Sequence, residues 1–227
     1  MSAISFVIED GPRFAFSPAR LIIAGWAGRD SAEVEHHIAE LAALGVKRPA
    51  TTPCFYEVAA SLLTVDERID VVGGNSSGEV EAVLVSDASH GLLVGVGSYH
   101  TDRKAESYDV AVSKQMCAKP LGATLWRYDD VAAHWDQLIA RSWRIDPHGE
   151  RVLYQEGSLA RLLPPAILLT GLGHTRSLPS GTVLYCGTQA LLGALLPAWS
   201  FEIELHDPVL RRTLVHRYGV NALAHVE

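Results

Sequence analysis

The chain has 227 residues, 48% hydrophobic and 20% charged, enough apolar mass for a packed core, which excludes a disordered chain. Nineteen Lys and Arg against 26 Asp and Glu give a net charge of −7 with no basic block, which argues against nucleic acid or anionic membrane as main partners. Cys54, Cys117 and Cys186 lack any CxxC spacing and read as reduced thiols, neither a disulfide framework nor a zinc knuckle.

The first residues, MSAISFVIEDGPRF, carry acids where an export signal has a basic end. The longest apolar stretch, 190–201, is broken by Gly193 and Pro197 and falls short of the ~18 residues of a spanning helix. A soluble, cytoplasmic protein is expected. Residues 4–8 and 21–28 predict two strands around the Gly11-Pro12 break. A helix follows, with Asp30 as N-cap, Glu33 three positions on and Gly45 as the stop. Its apolar stripe is Val34, Ile38, Leu41 and Ala42; His37 and Glu40 sit together at the stripe's edge.

Past Pro49 and Pro53 the pattern turns to β. Residues 79–85 alternate so that Glu79, Glu81, Val83 and Val85 share one face. After the turn at DASHG, residues 92–97 predict an antiparallel return strand. A Trp- and Ala-rich helix is expected over 129–143. Residues 182–186 predict a strand, and 201–205 with 212–216 a half-buried hairpin whose outer face carries Glu202 and Glu204. The layout is α+β, with β dominating the second half.

Several groups carry possible chemistry, each with a plainer alternative. Glu79-x-Glu81 is either a cation-binding pair or the solvated face of an edge strand, as Glu202-x-Glu204 also reads. His37-x-x-Glu40 is either a base with its orienting carboxylate or a helix-surface pair. The polar run 98–104 is a strand-end site or a charged loop. Gly187-Thr188 is a close-approach point for a ligand or a simple turn.

Taken in order, these pieces resemble the fumarylacetoacetate hydrolase superfamily. The order is HxxE on an early helix, a Pro-rich loop with Phe55, the E-x-E strand, a Gly-rich strand ending in a polar run with Arg103, Lys114 before Pro120-Leu-Gly122, and finally LPSGTVLYCGT. The resemblance spans roughly residues 28–205. It implies an α+β, β-dominated fold, a mixed β-sheet roll with a short N-terminal β/helical lid region. It also implies a single catalytic domain, with 1–50 carrying the strands and lid helix and 51–227 the roll core, paired into a homodimer. Members bind Mg²⁺ or a similar ion such as Mn²⁺ and act on small oxo-acids. Carried over, Glu79 and Glu81 match the metal pair, His37 and Glu40 the water-activating dyad, and Lys114 the lysine that stabilises developing negative charge. Thr188 matches a residue holding the substrate carboxylate, and Arg103 an arginine beside the metal Asp.

The sequence departs from that pattern at Tyr99, which stands where the resemblance implies a metal-binding Asp. Asp102 is the nearest replacement, if the chain turns after Gly97. The implied activity is metal-assisted hydrolysis of a C–C bond in a dioxo acid through an enolate. Decarboxylation, hydration and isomerisation are competing reactions through the same enolate, and a small-acid binding protein without turnover is the non-enzymatic alternative.

Overall fold

In the computed structural model of the protein, residues 3–43, 47–175 and 177–224 are described, without the side chains of residues 37, 40 and 41. Gly45, the expected helix stop, lies outside the described residues. The Gly11-Pro12 break turns a hairpin between β1 (Ile4–Ile8) and β2 (Arg13–Phe16). The second expected strand is therefore the third, β3 (Arg20–Gly25). Helix α1 (Ser31–Ala43) starts as its cap predicts: the amides of Ala32 and Glu33 donate to Asp30 Oδ1 at 2.8 and 3.2 Å. Of its expected stripe, Ile38 is buried and Val34 and Ala42 are half-buried.

Ten further strands build the body. They are β4 (Cys54–Val58), β5 (Arg68–Val72), β6 (Val80–Asp87), β7 (Gly91–Ser98) and β8 (Thr124–Arg127). After them come β9 (Ile139–Ile145), β10 (Arg151–Ser158), β11 (Thr182–Thr188), β12 (Ser200–Asp207) and β13 (Arg212–Leu223). An eight-stranded sheet runs β2-β1-β8-β7-β6-β11-β3-β4, and a five-stranded one β10-β9-β12-β13-β5. Both are mixed: β1 with β8, β3 with β11 and β5 with β13 pair in parallel.

Strand β6 is covered on both faces, so its interior is apolar on either side. Val80, Ala82 and Leu84 join Ala140, Ile203, Leu205 and Leu214 in a core shared by the two sheets. Val83 and Val85 face a second core with Phe6, Phe16, Leu21, Ile23 and Tyr185. Those residues come from opposite ends of the eight-stranded order, which meet only if the sheet curls on itself. Each buried Val, Leu, Ile or Phe among them contributes about 1.5–3 kcal/mol.

The helix expected over 129–143 is corrected. A turn of helix over Tyr128–Val131 and a 3-10 stretch over Ala132–Gln137 end the helical part. His134 already leaves helical geometry at φ −128° and ψ 25°. Beyond it the chain is β9, where Ala140, Ser142 and Ile145 are buried and Arg141 pairs across strands with Glu156 and Glu204. The hairpin of β12 and β13 forms as expected, with Phe201, Ile203 and Leu205 inward.

Candidate active site

The antiparallel pairing of β6 with β7 continues one residue beyond the strands. Tyr99 N donates to Glu79 O at 2.8 Å and Glu79 N to Tyr99 O at 3.2 Å, while Glu81 stands opposite Gly97. This register places Tyr99, Glu79 and Glu81 on the face of Val83 and Val85. The pair is not an exposed edge. β6 lies between β7 and β11, and Glu81 is 2% exposed. Glu202 and Glu204 keep the plainer role, paired with Arg151 and Arg141 on the outer face of β12.

Glu81 is held by the chain rather than by solvent. Gly187 N donates to its Oε2 at 2.7 Å. Gly187 has φ 103°, and a Cβ there would sit 2.8 Å from Ala27 Cβ, so only glycine presents this amide. Burial pushes the Glu81 carboxyl up to about 8, against the pull of that hydrogen bond and of Lys114. Thr188, expected on a substrate carboxylate, ties the strands together here: its Oγ1 donates to Val80 O at 2.9 Å and accepts from Gln155 Nε2 at 2.8 Å.

After β7 the chain turns, and residues 101–102 pair with 76–77. Asp102 Oδ1 accepts from Ala105 N at 2.7 Å and so caps helix α2 (Arg103–Glu106). Asp109 likewise caps α3 (Val110–Met116) by accepting from Val112 N. The cap on α2 aims Arg103 inward. Its Nε donates to Ser77 Oγ at 2.7 Å, its Nη1 to Glu106 Oε2 at 2.9 Å, and its Nη2 lies 3.2 Å from Glu79 Oε2. Burial opposes this charge, but Glu79 and Glu106 outweigh it and raise the pKa. Tyr99 OH donates to Glu106 Oε1 at 3.1 Å, and burial raises its pKa, so the phenol stays neutral.

Helix α3 delivers Lys114, whose Nζ lies 3.9 Å from the Tyr99 ring centroid and 4.9 Å from that of Tyr56. Burial lowers its pKa. Beneath it Lys119, fully buried, donates to His100 O at 2.8 Å and Cys117 O at 2.6 Å, and burial lowers its pKa to about 7. Tyr185 OH fixes this segment by donating to Lys119 O and Pro120 O. Gly97 makes room for the Tyr185 ring, since a Cβ there would come within 2.7 Å of it.

The structure thus brings Glu79, Glu81, Arg103 and Lys114 into one buried to half-buried cluster and adds Tyr99, Glu106 and Lys119. Glu106 was signalled by its i, i+3 spacing from Arg103; nothing in the sequence marks Lys119 as buried. The side chains of His37 and Glu40 lie outside the described residues. A cavity of about 630 Å³ lies elsewhere, along β5 and β13, lined by Arg68, Trp199 and Asn221 among others.

The expected metal set of Glu79, Glu81 and Asp102 does not assemble. Among the described residues no three His, Cys, Asp or Glu groups converge on a metal position. Asp102 is committed to its cap, Glu79 faces a guanidinium and Glu81 accepts from an amide. Tyr99 offers a neutral phenol where Mg²⁺ wants an anionic oxygen. The described residues of this cluster do not fit a divalent ion.

The family model described as "Protein of unknown function (DUF2848)" matches residues 24–218. The chain belongs to the DUF2848 family. No curated protein matches the sequence. Among solved structures, this DUF2848 chain is similar to Cg1458 with an inhibitor, at TM-score 0.67 and 17% identity, covering 95% of this chain and 81% of that one. It is also similar to apo 2-keto-3-deoxy-D-arabinonate dehydratase, at TM-score 0.66 and 14% identity over 92% of this chain and 75% of the other. The same dehydratase complexed with magnesium and 2,5-dioxopentanoate matches at TM-score 0.64 and 15% identity, over 91% and 75%. The DUF2848 chain shares the fold of these proteins, the β-dominated α+β roll that the resemblance implies.

Proposed function

We propose that this DUF2848 chain is an enzyme of the fumarylacetoacetate hydrolase superfamily that transforms a small oxo-acid by moving protons beside its carbonyl. The observation that carries the reading is the cluster of Glu79, Arg103, Glu106, Tyr99 and Lys114, buried to half-buried, at the shared end of β6 and β7. Arg103 is suited to a carboxylate, and a lysine ammonium between two aromatic rings to an oxyanion. Elimination of water is the favoured reaction. A carboxylate of the cluster takes the proton next to the carbonyl, and Glu81, which keeps its own proton up to about pH 8, gives it to the departing hydroxyl as water. A dehydratase among the proteins of this fold supports that choice. The test is turnover of a panel of 3-deoxy-2-oxo acids. Glu81→Gln should lower kcat by about 10²–10⁴-fold; full activity in that variant removes the acid role.

Hydrolysis of a C–C bond is the second reading, carried by His37-x-x-Glu40 on α1. His37→Ala should then abolish hydrolysis of acylpyruvates through kcat with little change in KM. Unaltered hydrolysis would end that reading. Pairing into a homodimer belongs to the same proposal, and sedimentation equilibrium decides it. If oxo-acids bind and none is turned over, the chain is the binding protein of the non-enzymatic alternative.

A further inference from the structure

We infer that Arg103 takes the place of a divalent cation in this site and binds the carboxylate of its ligand without metal. Three observations converge. Arg103 is held on three sides, by Ser77, Glu106 and Glu79, so its position does not depend on any ion. Its Nη2 meets Glu79 as an ion pair but is otherwise buried without a hydrogen-bond partner, leaving an N–H for a ligand oxygen. Tyr99 directs its hydroxyl to Glu106 rather than offering an anionic oxygen to a metal.

Charge points the same way. Glu79 and Glu106 both face Arg103, and Glu106 also accepts from Tyr99, so these carboxylates already have a cation within the fold. A divalent ion would have to displace the guanidinium from Glu79. A planar guanidinium instead matches a carboxylate fork. The identity of the ligand as a small oxo-acid rests on the function proposed above; the exclusion of metal does not.

The experiment uses the full chain and has two readouts. In thermal melting, neither Mg²⁺ nor Mn²⁺ should move the wild-type midpoint relative to EDTA, because an ion that does not bind the folded state cannot stabilise it. A rise of several degrees with either metal overturns the inference. In titration calorimetry with pyruvate, wild type should bind equally, within about twofold, in EDTA and in Mg²⁺, and Arg103→Lys should weaken binding about tenfold or more. Binding that appears only with Mg²⁺ overturns the inference and leaves the oxo-acid reading standing. If pyruvate binds under neither condition, the oxo-acid reading loses support while the melting arm still decides the metal. Tyr99→Asp supplies the missing oxygen, and its midpoint alone should rise with Mg²⁺. Should Arg103→Lys fail to fold, the wild-type and Tyr99→Asp melts carry the decision.

Discussion

Lys119 puts its amine among Cys117, Tyr99 and the backbone carbonyl of His100, with no carboxylate in hydrogen-bond contact among the described residues. Its pKa falls from 10.5 in the ordinary range to about 7 in the fold. Between those two values the unfolded chain holds a proton that the folded chain has released, so stability rises with pH across that window. Urea unfolding from pH 8 to 10, above the range in which Glu81 titrates, should show this rise more steeply in wild type than in Lys119→Met. The Met variant loses two hydrogen bonds at every pH, so the slope rather than the offset is the readout. Gly97 makes a second case: Gly97→Ala would drive a methyl to 2.6 Å from Val83 Cγ2 and 2.7 Å from Tyr185. Overpacking of this kind costs about 1–3 kcal/mol, which for a chain of this size lowers Tm by about 2–4 °C per kcal/mol. Calorimetry that finds Gly97→Ala as stable as wild type would show that Tyr185 has another place to go. At this scale the sequence shows which residues share a face but not which face is covered. Glu81 and Glu204 carry the same E-x-E signature on strands that are both central in their sheets, and they differ because the Glu81 face of β6 is covered by the second core while the outer face of β12 is open to arginines.

The short helix α2 owes its position to one carboxylate. Asp102→Ala should cost about 1 kcal/mol through the lost cap, whereas Asp102→Asn keeps an oxygen for Ala105 N and should be nearly neutral. A metal ligand would behave differently, since the amide would lose the anionic charge. Melting both variants with and without Mg²⁺ separates the two roles. Elements with their own punctuation were legible: Asp30 announced α1, and strict alternation announced the hairpin of β12 and β13. β9 was not, because Trp and Ala in 129–143 mimic a helix. What makes it a strand is the set of partners that Arg141 and Ser142 find across β10 and β12. The turn at 101–102 was equally hidden, for it depends on a two-residue pairing with 76–77 that no local pattern reveals.

The two sheets share one core, in which Val80 and Leu84 of one touch the cluster of Ile203 and Leu205 of the other. Neither can open without exposing the other's apolar face. Scanning calorimetry should therefore record a single transition whose calorimetric and van't Hoff enthalpies agree; two resolved transitions would divide the molecule into separately melting parts. The parallel pair of β5 and β13 has a consequence for synthesis on the ribosome. β5, with Ile69 and Val71 pointing inward, has no other strand neighbour in its sheet among the described residues, and its partner spans residues 212–223. While the intervening residues are being made, that segment presents open backbone amides and bare valine and isoleucine to the cell. Such non-local ladders form slowly, and an unpaired apolar edge invites association with other nascent chains. A chain stopped before Arg212 should accumulate as aggregates rescued by chaperone overexpression, and a charged residue at the exposed position Val72 should lessen the aggregation while leaving the finished fold intact.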